Sequence, residues 1–247
     1  MRVPKAERTP IFRFLEIAVV PLMSRIARYR VRGAENIPRE GAFVLSPNHV
    51  SNLDPIVMGV ALWKAGRAPR FLAKASLFRI PVVGAILRSS GQVPVERGAV
   101  RRGGASDPMK GAGDIARKGL AVIIYPEGTL TREPDLWPMR GKTGAVRAAL
   151  EQGIPLVPAA HWGVQRILPR YAKRPSLFPR TTVDIVFGEP LDLSAYRDRP
   201  IDPALLREAT EELMTAITRL LEGLRDETAP PERWDPAKNG QTETGRL

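Results

Sequence analysis

Short apolar runs alternate with segments of helical pattern along most of this 247-residue chain, and this alternation constrains the fold more than any other feature. Each run has the length of a strand, and helical patterns separate several of them. Repetition of strand, helix and strand predicts an α/β fold with a mostly parallel central sheet flanked by helices. The runs that predict strands are 42–46, 70–74, 92–96, 121–125, 155–160 and 182–188. The helical patterns between them are 54–66, 106–119 and 142–153, the last of which ends on a C-capping glycine.

The composition divides the chain into a central domain and two shorter ends. Residues 31–225 contain the alternating pattern and end with the clearest amphipathic helix, which is predicted over 202–225. Residues 226–247 are polar and rich in Pro and Gly, which predicts a disordered tail. Residues 1–30 are predicted to form a separate helical segment before the domain. We therefore expect one α/β domain with an appendage at each end.

The N-terminal segment combines large apolar side chains with arginines over residues 10–29. Thr9 and Pro10 predict the start of a helix, and Pro21 predicts its division into two short helices. An amphipathic helical membrane anchor has this composition. A helix packed on the protein's own core explains the same side chains, and the sequence leaves both alternatives open. No apolar run approaches the roughly 20 residues that a helix needs to cross a bilayer.

The charge of the chain predicts an anionic partner. Lysine and arginine number 38 against 26 acidic residues, which gives a formal net charge of +12. Such an excess of positive charge favours binding of an anionic partner, which can be nucleic acid, acidic lipid head groups, a phosphorylated substrate or an acidic carrier protein. The chain has no cysteine, which excludes disulfides and thiolate catalysis.

The stretch PNHVSNLDP, residues 47–55, follows a predicted strand and precedes a predicted helix. One interpretation is a polar turn in which Asp54 and Pro55 start the helix. The other is a catalytic pair, in which His49 accepts a proton from a substrate hydroxyl and Asp54 binds the other ring nitrogen. The two interpretations are compatible if one Asp54 oxygen caps the helix and the other orients the ring.

A second polar stretch, YPEGTLTRE, occupies residues 125–133 at the end of another predicted strand. A plain turn accounts for Pro, Glu and Gly in succession. A substrate site accounts for them as well, because Glu127, Thr129 and exposed backbone N–H groups can hold a polyol.

The ordered pair of motifs resembles the glycerophospholipid acyltransferase family, whose best-known members are bacterial 1-acyl-glycerol-3-phosphate acyltransferases. His-x4-Asp lies within NHVSNLD, and the glutamate of PEGT follows 78 residues after the histidine, since 127 − 49 = 78. The resemblance covers roughly residues 31–188 and includes the whole predicted sheet.

The resemblance implies further site residues. It makes Lys74 and Arg97 ligands of the acceptor's phosphate and places Pro158 in the block near the acyl donor or acyl chain. The residues implied to bind substrate in the PEGT block are Glu127, Gly128 and Thr129. The chain departs from the family where an arginine commonly follows the threonine, because Leu130 stands there and Arg132 comes two positions later.

The function implied is transfer of a fatty acyl group from an acyl thioester to the free hydroxyl of 1-acyl-glycerol 3-phosphate, which gives phosphatidic acid. His49 is the expected base, Asp54 its partner, and acyl-CoA or acyl carrier protein the co-substrate. No metal and no tightly bound cofactor is expected. The departure at Leu130 leaves other acceptors open: glycerol 3-phosphate, another lysophospholipid or an ornithine lipid.

The expected location is the cytoplasmic face of the cell inner membrane, as a peripheral or monotopic protein on an anionic surface. A non-catalytic basic protein that binds membrane or nucleic acid is the alternative of another class. We expect no nucleic acid partner, because the chain has no recognisable nucleic-acid-binding motif. The basic stretch 166–180 is either a solvated loop or a surface for lipid or for coenzyme A phosphates. His161 is expected to be structural.

Overall fold

The computed structural model describes residues 3–95 and 108–242. Strands and helices alternate along them as the sequence predicts. The strands are β1 (Ala27–Arg32), β2 (Phe43–Pro47), β3 (Leu72–Lys74), β4 (Val93–Val95), β5 (Ala121–Ile123), β6 (Leu156–Trp162) and β7 (Thr181–Phe187). The α-helices are α1 (Pro10–Ile26), α2 (Asp54–Lys64), α3 (Pro81–Ser89), α4 (Pro108–Arg117), α5 (Gly144–Gln152), α6 (Val164–Ile167), α7 (Ser194–Arg197) and α8 (Pro203–Arg225).

The central sheet has five strands in the order β1-β7-β6-β2-β5. The pairs β1–β7, β6–β2 and β2–β5 are parallel, and among the described strands only the pairing of β6 with β7 is antiparallel. Strands β3 and β4 form a separate parallel pair. This confirms the predicted α/β fold with a mostly parallel central sheet.

Helices cover both faces of the sheet, which is why its central strands are apolar on both sides. Along β2, Phe43 and Leu45 lie in one buried cluster with residues of α2, while Val44 lies in another with residues of α5 and α8. The amphipathic stripe of α8 supplies Leu213 and Ile217 to the second cluster. Strand β2 is therefore fixed from both sides, and the loop that follows it starts from a rigid point.

The N-terminal helix differs from its prediction in two respects. α1 runs unbroken through Pro21, although proline removes one helical hydrogen bond. Phe12 and Met23 are both buried, so tertiary packing holds the helix on either side of the proline. Residues 27–32 form β1, which the sequence analysis assigned in part to the helix.

Polar contacts fasten the segment before α1 to the domain. Glu7 is buried and accepts hydrogen bonds from Arg67 Nε at 2.7 Å and from the Ala68 N–H at 2.9 Å. Arg67 is 1% exposed, and its remaining nitrogens donate to backbone carbonyls. The N-terminal segment is therefore part of the packed structure. No helix among the described residues has the length and hydropathy to cross a membrane.

Residues 226–242 contradict the prediction of a disordered tail. Arg233 donates to Thr218 Oγ1 of α8 at 3.1 Å. The carbonyl of Trp234 accepts from the Arg140 N–H at 2.8 Å, and Asp235 pairs with the Arg140 side chain at 3.1 Å. Composition predicted disorder, but these specific contacts order the segment against α8 and the loop after β5.

Candidate active site

The loop between β2 and α2 lies at the carboxyl end of a central strand, where α/β proteins commonly place their sites. It carries His49 and leads into α2, which begins at Asp54. His49 is 8% exposed and Asp54 is fully buried. The loop is short and enclosed, so both side chains have a fixed environment.

His49 and Asp54 form the predicted pair. His49 Nδ1 lies 2.9 Å from Asp54 Oδ2. A carboxylate only accepts, so Nδ1 carries the proton and Nε2 is left with its lone pair. Among the described residues no side chain or backbone group hydrogen-bonds Nε2, and the His49 side chain keeps 10% of its exposure. This geometry leaves Nε2 able to accept a proton, which a general base requires.

The prediction that one Asp54 oxygen caps α2 while the other orients the His49 ring is wrong. Oδ2 alone accepts from His49 Nδ1, from the Val50 N–H at 2.7 Å and from the Ser51 N–H at 2.8 Å. Oδ1 is buried and has no hydrogen bond to any described residue. The N-cap of α2 is Leu53, and Asp54 stabilises the turn before the helix rather than the helix itself. The bent turn brings these N–H groups and the ring to one oxygen.

An aromatic ring covers the imidazole. Tyr125 stacks on His49 with ring centroids 4.2 Å apart and an angle of 28° between the planes. Burial and the negative charge of Asp54 raise the pKa of Tyr125, so it stays neutral. The stacked ring limits rotation of His49 about its side-chain bonds.

The PEGT segment holds the backbone of His49. Glu127 Oε1 accepts from the His49 N–H at 2.9 Å, and the Thr131 N–H donates to the His49 carbonyl at 2.7 Å. Glu127 Oε2 accepts from the Met139 N–H at 3.1 Å. The two motifs are thus joined directly through the peptide groups of the proposed base.

Glu127 has a different environment from the one predicted. It is fully buried, and both oxygens accept backbone N–H groups, so its contacts are with the protein framework rather than with an open acceptor site. Burial raises the pKa of Glu127 to about 8, while the N–H donors of Met139 and His49 act to lower it. Gly128 has φ +70°, which a turn requires of glycine. Thr129 is 8% exposed.

Leu130, which stands where the family commonly has arginine, is also buried. Leu130 is 6% exposed, and Arg132 is 1% exposed with Nη1 donating to Thr242 Oγ1 at 3.2 Å. An arginine at position 130 would have to be enclosed in the same way. Arg132 therefore does not stand in for it at an open surface.

The remaining predicted residues lie apart from this network or outside the described part of the chain. Lys74 ends β3, and its side chain is not described. Arg97 lies outside the described residues. Pro158 is buried within β6, opposite Ser46 of β2. The roles that the resemblance gives these residues stay predictions.

The proximity of His161 to the pair was not predicted from the sequence. Its backbone exchanges hydrogen bonds with the Asn48 side chain, at 2.9 Å and 3.2 Å. Its Nε2 lies 3.1 Å from the Asn48 carbonyl oxygen and 3.6 Å from Asp54 Oδ2. The signal available in the sequence was the position of His161 near the carboxyl end of a predicted strand beside β2.

An apolar cavity of about 310 Å³ lies next to the start of α2. Pro55 and Ile56, which directly follow Asp54, line one part of it. Most of the other lining comes from α1, α2 and α3. The other lining residues are Phe12, Leu15, Glu16, Val19, Val20, Gly59, Val60, Trp63, Pro69, Phe71, Ile86, Leu87, Ser90 and Gln92.

A buried His–Asp pair at the end of an α/β strand, with an apolar cavity beside it, fits an acyl-transferring enzyme. A family model described as acyltransferase matches residues 28–162, which is more than half of the chain, and the chain belongs to this acyltransferase family.

Particular relatives narrow the comparison. The 1-acyl-sn-glycerol-3-phosphate acyltransferase of Bacillus subtilis is 30% identical over 210 residues, which cover 85% of this chain and 96% of that protein. The protein of the same name from Borreliella burgdorferi is 28% identical over 189 residues, or 76% of this chain and 68% of that protein. The chloroplastic relative BAT2 of Brassica napus is 33% identical, but the match spans only 38% of its length.

A solved structure shares the fold. The 1-acyl-sn-glycerophosphate acyltransferase PlsC from Thermotoga maritima matches with a TM-score of 0.64 over 88% of this chain and 83% of that chain, at 24% sequence identity.

Proposed function

We propose that this protein transfers a fatty acyl group from an acyl thioester to the free hydroxyl of 1-acyl-glycerol 3-phosphate and so forms phosphatidic acid. The observation that carries the proposal is the His49–Asp54 pair, with Nδ1 bound to the carboxylate and Nε2 without a protein partner among the described residues. The names of the relatives in Bacillus subtilis and Borreliella burgdorferi support this choice of substrate.

The proposed step needs no covalent intermediate on the protein. His49 Nε2 removes the proton of the acceptor hydroxyl as its oxygen forms a bond to the thioester carbonyl carbon. Asp54 stabilises the imidazolium that results. The carbon–sulfur bond then breaks, and the imidazolium returns its proton to the departing sulfur, which leaves as a free thiol. The product is an ester, and His49 is neutral again.

The apolar cavity supplies a place for an acyl chain. Its lining is almost entirely apolar, and burial of methylene groups there is favourable by roughly 0.8 kcal/mol each. Pro55 and Ile56 line its wall and directly follow Asp54 in the chain, so the cavity begins beside the partner of the proposed base.

A membrane-facing surface follows from the helices around the same cavity. Phe14, Ile17 and Leu22 of α1 are exposed, as is Val82 of α3, with Ile17 at 74% and Val82 at 71%. Exposed apolar side chains beside an apolar cavity favour contact with a lipid bilayer. The net charge of +12 favours a bilayer whose surface is anionic. We propose peripheral or monotopic attachment at the cytoplasmic face of the inner membrane, with α1 serving both as a core helix and as part of the anchor.

The acceptor and donor are tested with purified full-length protein. Radiolabelled acyl-CoA is offered with lysophosphatidic acid, glycerol 3-phosphate, other lysophospholipids and an ornithine lipid precursor, and acylated acyl carrier protein replaces acyl-CoA in a parallel series. The proposal predicts phosphatidic acid from lysophosphatidic acid as the main product. Efficient use of another acceptor without turnover of lysophosphatidic acid would contradict the proposed acceptor but would still agree with acyl transfer as the reaction.

The membrane surface is tested by substitution, because deletion of α1 would also expose the core around Phe12. The triple variant Phe14→Ser, Ile17→Ser, Val82→Ser should sediment less with anionic vesicles, by about tenfold or more in apparent affinity. Ile201→Ser is the matched control, since Ile201 is also exposed but lies before α8. Equal sedimentation of triple variant and control would contradict this surface.

A further inference from the structure

The second histidine of the chain contacts the peptide group that carries the first. His161 is fully buried on β6, and its Nε2 lies 3.1 Å from the carbonyl oxygen of Asn48. That carbonyl belongs to the peptide bond between Asn48 and His49. A carbonyl only accepts, so Nε2 of His161 must carry the ring proton.

The other end of the same peptide is also held. The His49 N–H donates to Glu127 Oε1 at 2.9 Å, and the Asn48 side chain exchanges two hydrogen bonds with the His161 backbone. His161 from β6 and Glu127 from beyond β5 therefore fix the Asn48–His49 peptide from opposite sides. The carbonyl and the N–H of this buried peptide group are both hydrogen-bonded to the protein. Rotation of the peptide group would break these hydrogen bonds at a position that is closed to solvent, which is energetically costly.

His161 also faces the carboxylate that orients the base. Its Nε2 is 3.6 Å from Asp54 Oδ2, the same oxygen that accepts from His49 Nδ1. At this distance the N–H dipole of His161 acts on the charge of Asp54 without a full hydrogen bond. Burial lowers the pKa of His161, and its Nδ1 is buried without a hydrogen bond, so the ring stays neutral.

We propose that His161 is a positioning residue for the acyl-transfer reaction: it holds the backbone of His49 through the Asn48 carbonyl and offsets part of the negative potential of Asp54 at the His49 ring. This inference rests on the proposed function. His161 has no contact with substrate and acts only through His49 and Asp54.

The sign of the electrostatic effect follows from the groups around the two rings. Within residues 3–95 and 108–242, the ionisable groups whose charge acts on the His161 ring are Asp54 and His49. Those that contact His49 are Asp54, Tyr125 and, at its backbone, Glu127. Without the His161 dipole, the charge of Asp54 favours imidazolium at His49 more strongly. The acid limb of the activity profile should therefore move to higher pH when the dipole is removed.

The first experiment compares His161→Leu with His161→Gln. The leucine removes the donor, whereas the glutamine amide places an N–H near the position of Nε2. For His161→Leu we expect a fall in kcat of about 10- to 100-fold, acceptor KM within about twofold, and an acid limb of the kcat/KM profile moved up by about 0.5 to 1 pH unit. His161→Gln should recover kcat to within about tenfold of the wild type and return the acid limb towards its position.

Val157→Ala is the matched control, because Val157 is buried on the same face of β6 and lacks polar contacts. It should lower thermal stability as a cavity does and leave the acid limb in place. If His161→Leu lowers activity only as Val157→Ala does, with an unchanged acid limb, His161 is purely structural and the proposal is wrong.

A second readout needs no enzymatic activity. The chain has only two histidines, so ¹⁵N ring labelling gives two sets of signals, and His161→Gln assigns them. The proposal predicts the Nε2–H tautomer for His161 and a titration of His49 that moves to higher pH in His161→Leu. An Nδ1–H tautomer at His161 would overturn the proposal. A wild-type protein that acylates no acceptor but shows the predicted tautomer and titration would overturn the proposed function alone.

Discussion

The loop around His49 and the cavity between α1, α2 and α3 meet at the start of α2, yet they are built in opposite ways. In the loop, successive backbone and side-chain groups from residues 48–51 are tied by hydrogen bonds to Asp54, Glu127, Thr131 and His161. The cavity wall has almost no polar surface and offers about 310 Å³ of apolar space.

The difference separates two tasks of an acyltransferase. Proton transfer depends on atoms held within a few tenths of an ångström, and buried hydrogen-bond networks provide that precision. Selection of an acyl chain depends on shape and apolar area, which a wall of aliphatic and aromatic side chains provides. Substitutions in the loop should therefore change the rate, and substitutions in the cavity should change which chain is used.

Among the side chains that hold His49 in place, the largest effect is expected at Asp54. In Asp54→Asn the amide oxygen can take the place of Oδ2 and accept the same three hydrogen bonds, since Oδ1 has no hydrogen bond to lose. The variant then removes the charge and places the amide N–H groups at the buried position of Oδ1, and we expect kcat to fall by about 10²- to 10³-fold with a smaller loss of melting temperature than in Asp54→Ala. The measurement is steady-state kinetics beside thermal unfolding.

Asp54→Ala is the companion variant, because it removes both the charge and the hydrogen bonds to Val50 and Ser51. It should cost stability as well, by about 2–4 kcal/mol. Equal stability of the alanine and asparagine variants would show that Asp54 does not organise the loop.

Glu127→Gln should have the next largest effect. The amide of glutamine faces a backbone N–H at either His49 or Met139, so one of the two hydrogen bonds becomes a contact between donors. We expect a fall in kcat of about 10- to 100-fold and a loss of stability at low pH.

Glu127 also predicts a pH dependence of stability. Its pKa is raised from an ordinary 4.5 to about 8 by burial, so between these values the folded protein keeps a proton that the unfolded chain releases. The free energy of unfolding should therefore decrease as pH rises through this window, and the decrease should be smaller in Glu127→Gln. Urea unfolding at a series of pH values checks the slope, and identical slopes in both proteins would refute the assignment.

The smallest effect on rate is expected in the cavity, at Gly59. A β-carbon there would lie 3.4 Å from Pro69 Cγ and 3.6 Å from Phe71 Cζ, so alanine fits, whereas leucine extends into the cavity. Gly59→Leu should shift the donor preference toward shorter chains by about 3- to 10-fold in kcat/KM ratios. Gly59→Ala should keep the profile and stabilise α2 by about 0.5–1 kcal/mol. An unchanged chain-length profile in Gly59→Leu would show that the acyl chain does not bind in this cavity.

The sequence predicted the fold well because the strands lie in a two-sided sheet and their apolar runs are continuous. The start of α8 was also predictable, since Asp202 accepts from the Ala204 and Leu205 N–H groups as an N-cap does. β1 was missed because Arg28, Arg30 and Arg32 alternate along an edge strand and give no apolar run.

The site was predicted less evenly. His49 and Asp54 were identified as a pair, and the structure joins them at 2.9 Å. Glu127 was predicted to face the acceptor, but its two oxygens bind backbone N–H groups of residues that only the fold brings near it. The contact between His161 and Asn48 spans 113 residues, so no local pattern could reveal it.

His49→Ala tests the central claim most directly. If His49 is the base of an acyltransferase, phosphatidic acid formation depends on its side chain, whereas a non-catalytic basic protein forms no phosphatidic acid with or without it. Purified wild type and variant are compared for phosphatidic acid formation from lysophosphatidic acid and acyl-CoA, for sedimentation with anionic vesicles and for melting temperature. The account predicts a fall in kcat of about 10²- to 10⁴-fold in the variant, with vesicle binding and folding retained. A variant that acylates lysophosphatidic acid at the wild-type rate would show that His49 is not the base.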